Sequence, residues 1–225
     1  IIDSNGLNYQ GDPDTFTVEY DTNGETVNIV YADATQGWIP LDDDVVADAP
    51  VPPPTQKAIF GYGFVDGNPG VSMTNLVTSS GVVGTDVTGV GTARYGITAT
   101  GYGTDTAIFG YGYTGSKVSI TNLVNNSGVV ATDTTGVGTA RSYLAATRYG
   151  VGLAIFGYGT VVSNTAITNL VSNVGVVATD TSGVGTARHA LAAVGYGGDK
   201  AIFGYGTTGS RVSLTNLVSN SGVVA

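Results

Sequence analysis

A set of residues able to do chemistry returns at fixed intervals in this chain. Aspartate recurs at Asp86, Asp133 and Asp180 in Thr-Asp pairs, and arginine at Arg94, Arg141 and Arg188 in Gly-Thr-Ala-Arg. Tyrosine recurs at Tyr62, Tyr111, Tyr158 and Tyr205, each between two glycines. His189 is the single histidine, and cysteine is absent. Zinc in its ordinary ligand sets needs thiolates or several imidazoles, so no metal site and no cofactor is expected. A Ser-His-Asp triad would have to use His189. Its equivalents in the other copies are Tyr95 and Ser142, which marks a variable and exposed position. Paired carboxylates for glycoside hydrolysis would have to come from aspartates in equivalent turns, an arrangement that does not bring two together. The Gly-Tyr-Gly segments lie in strand-like runs with no helix following, so they are not phosphate loops. The expectation is a protein without catalytic residues.

The bland reading of the recurring residues is structural. One acid and one base per repeat fit a structural pair, or an Asp that caps a turn and an Arg that contacts backbone. Asn75, Asn122, Asn169 and Asn216 stand where a side-chain amide can satisfy loop backbone. Phe60, Phe109, Phe156 and Phe203 are expected to be buried between or within repeats. The four tyrosines are the ligand-binding candidates, as a ring of aromatics stacking on sugars. The competing reading places them in the core between repeats.

These residues are carried by four near-copies of Ala-Ile-Phe-Gly-Tyr-Gly, at Ala58, Ala107, Ala154 and Ala201, spaced 49, 47 and 47 residues apart. Such a period means an array of one supersecondary unit. The expected repeats are 58–106, 107–153, 154–200 and an incomplete 201–225. Each holds four short strand candidates, which in the last copy are His189 to Val194, Lys200 to Tyr205, Arg211 to Val218, and Gly222 onward. Four short strands per repeat point to propeller blades. Alternation would put Ala, Phe and Tyr of the hexapeptide on one face, and Ile and the glycines on the other. Glycine within a strand marks a bulge or a close backbone approach. The fold class is therefore all-β: a small N-terminal β module followed by a propeller-like array of about 47-residue four-stranded repeats. The last copy stops where earlier ones continue into Thr-Asp, which reads as part of a longer repeat protein.

Composition agrees. There are 35 glycines in 225 residues and 11% charged residues, which suits short strands and tight turns rather than helices. Residues 1–57 carry eleven acidic side chains and one basic, and the remainder is nearly neutral. Nucleic acid needs a basic footprint and is not expected as a partner. No apolar run approaches the roughly 20 residues of a membrane-spanning helix, so no membrane insertion is expected. Residues 1–41 read as a small β module: strands at Thr15 to Tyr20, Thr26 to Tyr31 and Gly37 to Pro40, with Asn23-Gly24 in a turn. Its apolar face holds Phe16, Val18, Tyr20, Val27, Ile29 and Trp38, more than a lone hairpin can hide, so it is expected to anchor or oligomerise. Residues 42–57 are an acidic and Pro-rich linker, extended by successive prolines.

The array over 58–225 resembles kelch-type propeller repeats in unit length, in the apolar strand ending in glycines (Ile202 to Gly206), and in Arg188 before the preceding strand. It departs from them in having Gly-Tyr-Gly for the double glycine and in lacking the repeat Trp. The stretches Asn23 to Tyr31 and Gly37 to Pro40 resemble a small β module of tailed-phage virion proteins. That resemblance implies a virion tail-fibre or appendage protein. It would be a homo-oligomer with a trimer favoured, touching other virion proteins and contacting glycan or protein on the host surface. A bacterial secreted or cell-surface repeat adhesin and a propeller carbohydrate-active enzyme are the alternatives.

Overall fold

The computed structural model describes residues 6–9, 11, 13, 28–41, 57–66 and 68–225. The chain divides into two units, Ile1–Thr55 and Gln56–Ala225. In the first unit, β1 (Ile29–Asp33) and β2 (Gly37–Pro40) form an antiparallel hairpin with Tyr31 opposite Trp38. The Asp33 carboxylate closes the turn by accepting the backbone N–H groups of Thr35 and Gln36 at 2.8 and 2.7 Å. The rings of Tyr31 and Trp38 meet edge-on, 5.5 Å between centroids. The expected strand at Thr15 to Tyr20, the Asn23-Gly24 turn, the side chains of Phe16, Val18, Tyr20 and Val27, and linker positions 42–56 lie outside the described residues.

The second unit is an all-β, propeller-like array, with no helix among the described residues. Its first repeat pairs β3 (Ala58–Val65) with β4 (Asn68–Val77). The second is a three-stranded antiparallel meander of β5 (Thr98–Tyr102), β6 (Thr106–Tyr113) and β7 (Lys117–Val124). The third comprises β8 (Ala145–Tyr149), β9 (Leu153–Gly157) and β10 (Thr168–Val171). The fourth comprises β11 (Ala192–Tyr196), β12 (Lys200–Gly204) and β13 (Thr215–Val218). The hexapeptide supplies the central strand of each meander.

Two expectations need correction. The fourth strand of each repeat is reduced to isolated bridges: Val83 to Val77, Val130 to Val124, Val177 to Val171 and Val224 to Val218. After a tight turn such as Asn125 to Gly128, where Gly128 has φ +79°, the chain bridges at Val130 to Val124 and again at Thr134 to Thr121. Between these bridges, Asp133 turns to the preceding repeat, where its carboxylate accepts the Thr92 hydroxyl. The alternation within the hexapeptide also fails. Tyr62, Tyr111, Tyr158 and Tyr205 all take left-handed backbone conformations, with φ of 62 to 63°. The ladder shifts register across Tyr62 and Tyr111, and β9 and β12 end just before Tyr158 and Tyr205. A left-handed aromatic residue is strained, and such strain persists only where its surroundings hold it.

What holds it is packing between repeats. Each apolar cluster joins one repeat to the next: Tyr62 with Phe109 and Val130, Tyr111 with Phe156 and Val177, and Tyr158 with Phe203 and Val224. The core is thus a chain of interfaces, as in other repeat proteins. Phe109, Phe156 and Phe203 are buried in them, as their repetition predicts. Phe60 is the exception at 62% exposure, because its seat would belong to a repeat on the other side of the first sheet.

Candidate functional site

Arg141 has no exposed surface and joins two repeats. Its Nε donates to the Tyr158 carbonyl at 2.9 Å, Nη1 to the Thr139 carbonyl at 3.1 Å and Nη2 to Asn169 Oδ1 at 2.6 Å. The guanidinium lies 4.3 Å from the Tyr111 ring centroid, a cation–π contact in a desolvated place. Asn169 Nδ2 donates onward to Asp180 Oδ1 at 2.9 Å, and the Thr139 hydroxyl donates to Asp180 Oδ2 at 2.6 Å. Thr and Arg come from one repeat; Tyr, Asn and Asp come from the next. Arg94 makes the same set with Tyr111, Thr92 and Asn122, and stands over Tyr62. Arg188 contacts Tyr205, Thr186 and Asn216, stands over Tyr158, and its Nη2 makes no hydrogen bond.

This arrangement refines the sequence expectation for the charged residues. The arginine meets the aspartate of the following repeat, not its own, and only Arg94 and Asp133 come within ion-pair range, at 3.9 Å. Asp86 accepts from Asn75 at 2.8 Å. Burial pushes Arg94 and Arg141 below the usual arginine range and pushes the phenols of Tyr62, Tyr111 and Tyr158 up. The tyrosine ring expected to stack on sugars is corrected here. Tyr62, Tyr111 and Tyr158 are buried beneath arginines and present no face to a ligand, and Tyr205 alone is exposed.

The aromatic surface lies elsewhere. The residue after each clamping arginine (Tyr95, Ser142, His189) bridges a segment of the following hexapeptide region, at Tyr113, Thr160 and Thr207. The next residue (Gly96, Tyr143, Ala190) is left-handed, with φ of 61, 54 and 49°. That turn carries the backbone from one repeat to the next: Tyr143 N–H donates to Gly96 O at 2.8 Å, and Ala190 N–H to Tyr143 O at 2.9 Å. The side chains form a continuous stripe. Ring centroids are 5.2 Å apart for Phe64 and Tyr95, 5.3 Å for Tyr95 and Tyr113, 6.5 Å for Tyr95 and Tyr143, and 6.2 Å for Tyr143 and His189. Phe64 and Tyr143 are exposed; Tyr95, Tyr113 and His189 are half-buried. His189 is therefore not the exposed residue expected, because Tyr143 covers one side and Asn164 Oδ1 holds its Nδ1 at 2.8 Å.

A solved structure of YjhT shares the fold, with a TM-score of 0.53 over 68% of this chain at 11% identity. The chain spans half the length of that structure. No family model matches the chain, and no curated protein matches it. The likeness to YjhT therefore concerns architecture.

The stripe offers flat apolar rings beside an imidazole, an amide and hydroxyls. Rings with polar tips suit ligands that have both an apolar face and hydroxyl edges. Sequence reasoning passed over Tyr95 and Tyr143 because these positions differ between repeats, unlike the recurring hexapeptide and Gly-Thr-Ala-Arg motifs. The signal was present: Tyr95, Tyr143 and His189 stand one or two residues after the Gly-Thr-Ala-Arg motif.

Proposed function

We propose that this chain is a non-enzymatic attachment protein of a tailed-phage particle, a tail-fibre or appendage component that contacts the host surface. The observation that carries the reading is the stripe of Phe64, Tyr95, Tyr143 and His189, which crosses repeats without interruption. Sugar rings stack on such aromatics, and the neighbouring Asn164 and Thr160 supply hydrogen-bonding groups. Host-surface glycan is thus the contact assigned to the array. The clamps beneath make the stripe rigid, which limits the entropy lost on binding. The N-terminal module, with its phage-like stretches, holds the chain in the particle as a homo-oligomer, with a trimer favoured.

Two measurements test this. Purified protein on a glycan array binds a defined set of saccharides, and Tyr143→Ala weakens that binding about tenfold, the loss of roughly 1.4 kcal/mol of stacking. Its melting temperature stays near wild type. Unchanged binding by Tyr143→Ala and Tyr95→Ala would remove the stripe from the site. A protein inventory of purified particles contains the chain; its absence would reject the virion assignment in favour of a secreted or cell-surface adhesin.

A further inference from the structure

The two ends of the array are the separated halves of a junction that the chain builds three times internally. At each inner junction a phenylalanine sits on a glycine of the preceding repeat and against the tyrosine after it. A Cβ added to Gly61, Gly110 or Gly157 would stand 2.9, 2.7 or 2.6 Å from Cζ of Phe109, Phe156 or Phe203. The Tyr–Phe centroid distances at the same junctions are 5.0, 5.2 and 5.1 Å. A second seat runs the other way. A Cβ at Gly175 would meet Leu123 at 2.9 Å and one at Gly222 would meet Leu170 at 2.8 Å, while Gly128 receives Leu76.

At the ends both seats are open, and each lacks the part that the other end carries. Phe60 is 62% exposed, and a side chain at Gly81 would meet nothing within 4 Å. At the opposite end, Tyr205 is 63% and Leu217 50% exposed, and a Cβ at Gly204 would meet only Thr215 Cγ2 at 3.8 Å. Val83 is exposed at the first end, whereas Val130, Val177 and Val224 are buried at inner junctions.

We propose that the array associates head to tail with a second copy of itself. Phe60 of one copy seats on Gly204 and Tyr205 of the other, and Leu217 of the second copy seats on Gly81 of the first. The contact is heterologous, because different surfaces meet, so copies add head to tail until their ends meet in a ring or extend as a filament. The inference does not depend on the glycan reading, since the seating residues Phe60, Gly81, Gly204, Tyr205 and Leu217 are not stripe residues.

Sedimentation velocity over a wide concentration range tests it. Wild-type protein grows in mass with concentration. Phe60→Asp, which removes the plug, and Gly204→Trp, which fills the seat, each abolish that growth and leave a fixed mass. Both sites are open in the single chain, so both variants keep the wild-type far-ultraviolet circular dichroism. Phe60→Asp retains a good seat and Gly204→Trp retains a good plug, so the two variants, labelled with donor and acceptor dyes and mixed, transfer energy to each other. Neither variant mixed with itself gives this concentration-dependent gain in transfer. Wild type of constant mass, growth that survives both substitutions, or a mixture without energy transfer would each overturn the proposal.

Discussion

At the residue scale, the aspartates of the clamp carry a pH signature. Burial raises the Asp180 carboxyl, but hydrogen bonds from the Thr139 hydroxyl, Asn169 and the Thr139 amide outweigh it. With the charge of Arg141 they hold it below the usual carboxylate range. Asp133 is held down in the same way by Thr92, Asn122 and Arg94. A carboxyl whose folded pKa lies below its unfolded one contributes stability above the unfolded value, about 3.9, and loses it as pH falls through the folded value. The melting temperature should therefore fall as pH drops below about 4. The double substitution Asp133→Asn, Asp180→Asn should melt lower at pH 7 and show a flatter acid limb. Parallel curves for the two proteins below that pH would deny the aspartates this part. The recurrence of Asp and Arg was legible in the sequence, and so was their structural character. Their pairing across repeats was not, because an acid and a base in every unit fit partners within a unit or between units equally well.

At the element scale, Gly157 and Gly204 occupy the same place in β9 and β12 but face different neighbours. An alanine at 157 must displace the buried ring of Phe203, which a packed core resists at about 1–3 kcal/mol. An alanine at 204 meets ordinary van der Waals space, and its effect should stay within about 0.5 kcal/mol. Urea denaturation of Gly157→Ala and Gly204→Ala measures the contrast, and equal midpoints would contradict it. The close approach at these glycines was readable from Gly within a strand. The left-handed tyrosine beside it was not, since local rules reserve that conformation for Gly and Asn. Contacts from a neighbouring repeat account for it: an arginine takes the carbonyl of Tyr111, Tyr158 and Tyr205, and Phe109 packs against Tyr62. The fourth strand of each repeat was likewise over-read: its residues suit a strand, but it pairs only at isolated bridges.

At the scale of the whole molecule, stability is shared along one dimension. The central strands β6 and β9 have a neighbouring repeat on both sides and are mostly buried, whereas β3 and β12 have one side open. In a linear array the terminal units lack half of their interface energy and open first. Hydrogen exchange at low protein concentration should therefore find the amides of β6 and β9 slower than those of β3 and β12. Uniform protection across all four sheets would indicate a single cooperative unit instead. The period alone announced the array and its strands. The open ends were less legible, because Phe60 has the same local sequence as its three buried counterparts and differs only in what stands beside it.

The division of each clamp between repeats bears on how such a gene can change. Thr and Arg are supplied by one unit, and Tyr, Asn and Asp by the next, in the same positions each time. Loss of residues 107–153 would bring Arg94 against Tyr158, Asn169 and Asp180, the partners Arg141 has now. Duplication of that stretch would likewise leave every seam chemically matched. Recombination between repeats in register therefore alters the length of the array, and with it the number of aromatic positions displayed, without creating an unsatisfied buried charge. Selection can then act on reach and on the displayed side chains while the connecting chemistry stays fixed.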